Sequence, residues 1–112
     1  MGCAPAIPQG PGIGERGKEL FARRCSGCHA LDRNQEGPPL RGVFGRKAAS
    51  LADFEYSDAL RKSGIAWNAE NLERWLRDPE AVAPGTDMAF RVPNGEERQA
   101  LIAYLKSLSA MR

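Results

Sequence analysis

The feature that most constrains this chain is the run Cys25-Ser26-Gly27-Cys28-His29. The C-x-x-C-H spacing is typical of covalent haem attachment. Two thiols one helical turn apart can add to the two vinyl groups on one side of a porphyrin, and the adjacent imidazole then reaches the iron. The motif therefore predicts one haem c, held by thioether bonds to Cys25 and Cys28 and ligated by His29.

Other uses of the same residues fit the chain less well. A structural zinc site needs four Cys or His ligands, but His29 is the only histidine and Cys3 the only cysteine outside the motif. A thioredoxin-like dithiol belongs to a βαβ unit, and no strand alternation is visible here. A chance occurrence of the motif also stays open, and covalent haem is the favoured interpretation.

Length and charge narrow the class of protein further. A chain of 112 residues makes one domain, and a chain this short benefits from a ligand that adds to its core. No window approaches the ~18 consecutive apolar residues of a membrane-spanning helix. The net charge of +2 comes from 16 basic and 14 acidic residues without blocks of either sign, which excludes a nucleic-acid or polybasic membrane footprint.

Apolar spacing predicts helices at both ends of the domain. From Glu15 to Cys25, apolar and small residues three and four apart share one face. A second helix over about 95–109 begins with a cap at Asn94 and carries an i, i+3, i+4, i+7 stripe. The two faces consist of Gly17, Leu20 and Phe21 in the first helix and of Leu101, Tyr104, Leu105 and Leu108 in the second.

Shorter elements are predicted between these helices. Asn68 can cap a helix that Pro79 stops, and a helical turn over Ser57–Ser63 ends at Gly64. The stretch 30–55 lacks any sustained period, as expected of a chain that wraps around a bound group. We expect residues 1–12 to form a flexible tail and residues 13–112 to form the domain.

An iron that is ligated by one histidine has a sixth coordination position to fill. The candidate ligands in this chain are the methionines Met1, Met88 and Met111. An isolated methionine more often fills a core than binds a metal. The first and last of these lie near the chain ends, whereas Met88 lies in a turn-rich loop after a helix, where it can close over the haem. Met88 is therefore the predicted distal ligand.

The ordered motifs resemble class I cytochromes c, in particular the mitochondrial-type soluble branch and its bacterial members. The likeness runs from Gly14 to Lys106 and includes Gly37-Pro38-Pro39-Leu40, residues 42–47, Trp67, Pro84-Gly85-Thr86, Phe90 and residues 101–106. It implies an all-α cytochrome c fold, with three to five helices wrapped around one covalently bound haem and the N- and C-terminal helices crossing.

The resemblance also implies roles for individual residues. His29 would donate through its second ring nitrogen to the carbonyl of Pro38, and Thr86 would help to hold the loop of Met88. Buried haem propionates need donors, and three residues match the family's positions around them. The propionate positions are Arg46, Tyr56 and Trp67, and the metal ligands are His29 and Met88. The full set of implied haem-binding residues is Cys25, Cys28, His29, Pro38, Arg46, Tyr56, Trp67, Trp75, Thr86, Met88 and Phe90.

Two departures from the family pattern alter the expected site. Trp75 replaces a hydrogen-bonding tyrosine and Leu60 replaces an asparagine, so we expect the distal side to lose polar partners and become drier. The family's docking face is rich in lysine, whereas the matching stretch contains Asp78, Glu80 and Asp87, and only Arg24 keeps a basic charge there. The steering field is therefore expected to be weakened or inverted.

These features predict a one-electron carrier, not an enzyme, that docks transiently with redox proteins at the haem edge and remains a monomer. The donor would be a quinol-oxidising complex or dehydrogenase, and the acceptor a terminal oxidase or another cytochrome. Alternatives are an excised electron-entry domain of a larger enzyme, or a haem protein reactive with peroxide or gases. The resemblance implies a periplasmic or otherwise extracytoplasmic location. Cys3 is a lipid-anchor candidate, with a free thiol or cloning remnant as the alternative.

Overall fold

The computed structural model describes residues 12–110, which form an all-α fold with five α-helices, as predicted. Within this range the only β-type pairing is an isolated bridge between Lys47 and Ala66. In chain order, the helices are α1 (Ile13–Leu20), α2 (Asp58–Ser63), α3 (Ala69–Arg77), α4 (Pro79–Val82) and α5 (Gly95–Ala110). None of the helices in residues 12–110 has the length and apolarity that crossing a bilayer requires.

The crossing of α1 and α5 forms one side of the core, and its closeness depends on Gly17. A Cβ at this position would lie 1.9 Å from the carbonyl oxygen of Ala100, so only glycine allows the two backbones to approach this far. Phe21 and Tyr104 pack beside the crossing with their ring centroids 5.7 Å apart. The predicted apolar stripe of α5 is buried here, including Leu101 at 1% exposure.

The first helix changes its geometry before the cysteine motif. We predicted one continuous helix to Cys25, but Phe21–Cys25 is a π-helical segment. Its i→i+5 pattern is visible in the hydrogen bond from Ser26 N to Phe21 O, at 3.0 Å. Apolar spacing predicts a helix here, but it cannot distinguish a single π-helical turn from an α-helical one.

Side-chain caps at Asn68 and Asn94 begin α3 and α5, as the sequence indicated. Asn68 accepts a hydrogen bond from Asn71 N at 2.8 Å, and Asn94 accepts one from Glu97 N at 3.0 Å. Gly64 ends α2 in the left-handed region, with φ of 68°. Pro79 both ends α3 and opens α4, because a first-turn proline needs no N–H donor.

Residues 26–57 carry no regular helix or strand and line one side of the interior. Backbone hydrogen bonds between separate segments hold this stretch in place. Leu40 N donates to Ala30 O, and Trp67 N donates to Arg46 O. The predicted tail lies outside the described residues, except for Gly12. The same holds for Met1, Cys3 and Met111. The division into tail and domain therefore stays a prediction.

Candidate haem-binding site

A largely apolar cavity of about 400 Å³ lies between the irregular stretch, α3, α5 and the loop before α5. This size is within the ordinary range for small-molecule and cofactor sites. The cavity brings together all of the residues that the sequence predicted for haem binding, which are Cys25, Cys28, His29, Pro38, Arg46, Tyr56, Trp67, Trp75, Thr86, Met88 and Phe90. The structure thus gathers these residues in one place.

Both motif cysteines border the cavity from a single turn. The backbone N–H groups of Cys28 and His29 donate to Cys25 O at 3.1 and 2.8 Å, which closes this turn. Burial, followed by the charge of Cys28, raises the pKa of the Cys25 thiol to about 11. A dithiol redox site requires a thiol with a lowered pKa. The environment of Cys25 therefore fits a tether better than a reactive thiol.

His29 is fixed in orientation by the chain that follows it. Its Nδ1 lies 2.9 Å from Pro38 O, which leaves Nε2 free to bind a metal. Burial lowers the pKa of His29, and the hydrogen bond to Pro38 partly opposes that effect. The imidazole is consequently neutral near pH 7, which is the form that ligates iron.

Gly37 supports the imidazole from the other side, a role that the predicted site set omitted. A Cβ on this residue would lie 2.2 Å from Cε1 of His29, so the ring packs directly against the glycine backbone. The N–H of Gly37 donates to Cys28 O at 2.8 Å, which ties this backbone to the cysteine turn. The run of glycine and prolines over 37–39 was the available signal, but it did not indicate which side chain the glycine faces.

Met88 receives a hydrogen bond that we had not expected. The indole Nε1–H of Trp75 donates to Met88 Sδ at 3.2 Å. Trp67 packs edge-on against Trp75 with centroids 5.2 Å apart, which fixes the direction of that indole. The expectation that Trp75 removes a polar partner is therefore wrong, because an indole N–H is a donor as a phenol O–H is.

The other replacement behaves differently from Trp75. Leu60 is half-buried and contributes to the cavity wall. Leu60 therefore places apolar surface where the family has an amide. That this replacement makes the distal side drier stays a prediction.

Arg46, Tyr56 and Trp67 lie at the cavity with donor capacity to spare. Arg46 donates from its two terminal nitrogens to Pro39 O at 2.9 Å and to Arg41 O at 3.4 Å, which holds the guanidinium in place and leaves its other N–H groups to donate. The hydroxyl of Tyr56 accepts from Leu51 N at 3.3 Å and keeps its own proton to donate. This environment fits an anionic group whose charge would otherwise be costly to bury.

Thr86 and Phe90 complete the predicted set at the loop before α5. The backbone N–H of Thr86 donates to Ala83 O at 3.0 Å, so this residue is held in the loop through its main chain. Phe90 borders the cavity and is 44% exposed, which is unusual for a phenylalanine. The ring therefore lies at the boundary between the cavity and solvent.

Two ion pairs lie near the cysteine motif and the loop of Met88, on the face where docking is expected. Arg24 lies 3.2 Å from a carboxylate oxygen of Glu97, and Arg91 lies 3.1 Å from Asp78. Arg24 is thus not the only basic residue there, because Arg91 lies on the same loop as Met88. Glu80 and Asp87 form no ion pair in the described part of the chain, and the weakened or inverted steering field stays a prediction.

Comparison with known proteins gives one consistent result. The family model described as "Cytochrome c" matches residues 14–109. Cytochrome c2 iso-2 of Magnetospirillum fulvum is 46% identical over 87 residues, covering 75% of this chain and 91% of its own. Cytochrome c of Gibberella zeae is 41% identical over 96 residues, covering 82% and 91%.

A solved structure agrees with these sequence matches. The structure of cytochrome cH from Methylobacterium extorquens superposes with a TM-score of 0.80 at 42% identity, covering 86% of this chain and 99% of that one. The match in fold therefore extends over almost the whole of that protein.

Proposed function

This chain belongs to the cytochrome c family, and from that premise we propose that His29 and Met88 are the two axial ligands of its haem. The protein is a monohaem electron carrier whose haem c is attached through cysteines. The observation that supports the ligand assignment is that Cys25, Cys28, His29 and Met88 all border one apolar cavity. The neutral imidazole and the thioether are a known pair of ligands in this chemistry.

Haem c supplies a one-electron redox centre when it is bound. Cys25 and Cys28 anchor it, and the bond from His29 to Pro38 O orients the proximal imidazole. Met88 provides a soft, neutral sulfur that favours the ferrous state, and the apolar walls disfavour the additional positive charge of the ferric state. Because His29 and Met88 would both bind the iron, no coordination position would remain open for a substrate, and electron transfer is the function that the site supports best.

The chain's composition favours a carrier over a peroxide-reactive enzyme. General acid and base chemistry on the distal side is most often performed by a histidine. His29 is the only histidine of this chain, and we assign it to the proximal position. The indole of Trp75, which faces Met88, has no proton that it can exchange readily near neutral pH.

The partners that we propose are redox proteins that bind briefly at the haem edge. A quinol-oxidising complex or dehydrogenase would donate the electron, and a terminal oxidase or another cytochrome would accept it. The charges within the pairs Arg24–Glu97 and Arg91–Asp78 neutralise each other, whereas Glu80 and Asp87 form no ion pair within residues 12–110, so this face carries only a small negative charge. We therefore expect association rates to fall less than about threefold between low and physiological salt, because steering is weak. We also propose an extracytoplasmic location.

Absorption spectroscopy tests the proposed ligands directly. The reduced holoprotein is expected to show a c-type α-band, and the oxidised form a weak near-infrared band from sulfur to iron. Met88→Ala should lose the near-infrared band and keep the α-band. A near-infrared band that survives in Met88→Ala would refute the assignment of Met88, and a colourless protein from a host able to attach haem would refute the whole site.

A further inference from the structure

The segment 87–91, which carries Met88, is fixed mainly at its two ends. Within residues 12–110, no main-chain hydrogen bond uses a backbone group of 87–91. The polar contacts inside the segment are made by side chains: the bond from Trp75 to the sulfur and the pair of Arg91 with Asp78, whose Oδ1 is buried. Met88 also packs against the apolar core. The position of Met88 therefore depends strongly on how its flanking residues are held.

The upstream flank is held by bonds near the surface. Gly85 N donates to a carboxylate oxygen of Glu80 at 2.9 Å, and Thr86 N donates to Ala83 O. The first bond is exposed and competes with water. This end restrains the segment less than a buried contact would.

The downstream flank begins with the buried Val92, and its carbonyl groups are bound by Arg98. Val92 is fully buried and its N–H donates to Leu76 O at 2.8 Å. Arg98 Nη1 donates to the carbonyls of Val92 and Pro93 at 2.8 and 2.9 Å. One guanidinium of α5 therefore holds both residues that follow the Met88 segment.

The same guanidinium is fixed by an ion pair to α3. Arg98 Nε lies 3.0 and 2.9 Å from the two carboxylate oxygens of Glu73. The side chains of Arg98 and Glu73 are only 11% and 26% exposed, compared with 57% and 36% for the pair of Arg91 with Asp78. Charge-assisted bonds of this kind are strong when shielded from water, and an unpaired buried charge is costly.

Glu73 precedes Trp75 by two residues in α3, so Arg98 joins the helix that carries the sulfur's donor to the segment that carries the sulfur. We propose that Arg98 is a positioning residue for Met88, which keeps the methionine segment closed by holding Val92, Pro93 and Glu73 together. This inference rests on the proposed role of Met88 as a ligand. A lysine at position 98 cannot reproduce it, because a single ammonium lacks the planar fork of donors.

Imidazole binding to the ferric holoprotein measures how often the segment opens. An external ligand competes only with a displaced methionine, so its apparent affinity scales with the open population. We expect Arg98→Lys to raise the apparent imidazole affinity about tenfold, as the loss of one charge-assisted interaction would. Glu73→Gln keeps an acceptor but loses the charge, and we expect a rise of about threefold.

Two control variants separate positioning from general stability. Arg91→Gln removes the charge of the more exposed ion pair on the same segment, whose side chains are 57% and 36% exposed, but keeps an N–H donor for Asp78, and it should change the affinity by less than about twofold. Leu108→Val weakens core packing at the other end of α5, and it should lower the denaturation midpoint without changing imidazole affinity.

The inference is overturned if Arg98→Lys stays within twofold of the unaltered protein, or if Leu108→Val raises the affinity as much. Should Arg98→Lys fail to fold, an unchanged affinity in Glu73→Gln would overturn it as well. A missing sulfur-to-iron band in the unaltered ferric protein would instead refute the assignment of Met88, so the two failures can be distinguished.

Discussion

Replacement of Trp75 by phenylalanine should lower the reduction potential of the holoprotein. The change keeps an aromatic ring against Trp67 but removes the Nε1–H that lies 3.2 Å from Met88 Sδ. Donation to the sulfur withdraws electron density from the ligand, which favours the ferrous state over the ferric state. Loss of the donor therefore favours the ferric state.

The size of this shift follows from the strength of one hydrogen bond. A neutral intramolecular bond contributes about 0.5–1.5 kcal/mol, and a thioether is a weak acceptor, so we take about 0.5–1 kcal/mol as the difference that this bond makes between the two oxidation states. For a one-electron couple, about 1.4 kcal/mol corresponds to about 59 mV. The expected decrease in potential is therefore about 20–40 mV.

Equilibrium redox titration of the purified holoprotein would measure this shift. Trp75→Tyr is the matched variant, because its phenol can donate to the same sulfur and should recover at least half of the loss. The near-infrared band should persist in both variants, since the methionine stays bound. A potential for Trp75→Phe that is unchanged within about 10 mV, or that rises, would refute the argument that this bond favours the ferrous state.

Two glycines give further predictions, each with a control in the same region. Gly17→Ala should destabilise the protein by about 3 kcal/mol or more, because the added methyl group meets Ala100 O. Gly14→Ala in the same helix meets no atom within 4 Å and should be neutral or stabilising by up to about 1 kcal/mol. Chemical denaturation would compare the two, and equal effects would contradict the close crossing. Gly37→Ala should displace the proximal imidazole and alter the haem absorption spectrum, whereas Gly27→Ala, which has open space around it, should leave that spectrum unchanged. Identical spectra for these two variants would show that the ring does not depend on glycine 37.

The helices were largely predictable because their signals are local. The caps at Asn68 and Asn94 and the stripe of α5 depend on residues within a turn or two of one another. The cysteine motif likewise predicted the cofactor from five consecutive residues. Such patterns require no knowledge of what lies across the core.

Contacts between distant parts of the chain were not predictable in the same way. Arg98 and Glu73 carry ordinary surface residue types, and only the packing of α3 against α5 turns them into a partly buried pair. The direction of the Trp75 indole depends on Trp67, which precedes α3. The sequence identified Trp75 as a departure from the family pattern, but its N–H could be placed only with the backbone in three dimensions.

The crossing of α1 and α5 has a consequence for how this chain is assembled during synthesis. The helix that leads into the cysteine turn ends at Leu20, and the helix that packs across it begins at Gly95. These two surfaces meet only after everything between them has been made, and closing so long a loop is slow and entropically unfavourable. A chain of which only the first half has been made therefore presents the two thiols without the helix that packs across α1. We expect both sulfurs to be accessible to haem attachment during that interval.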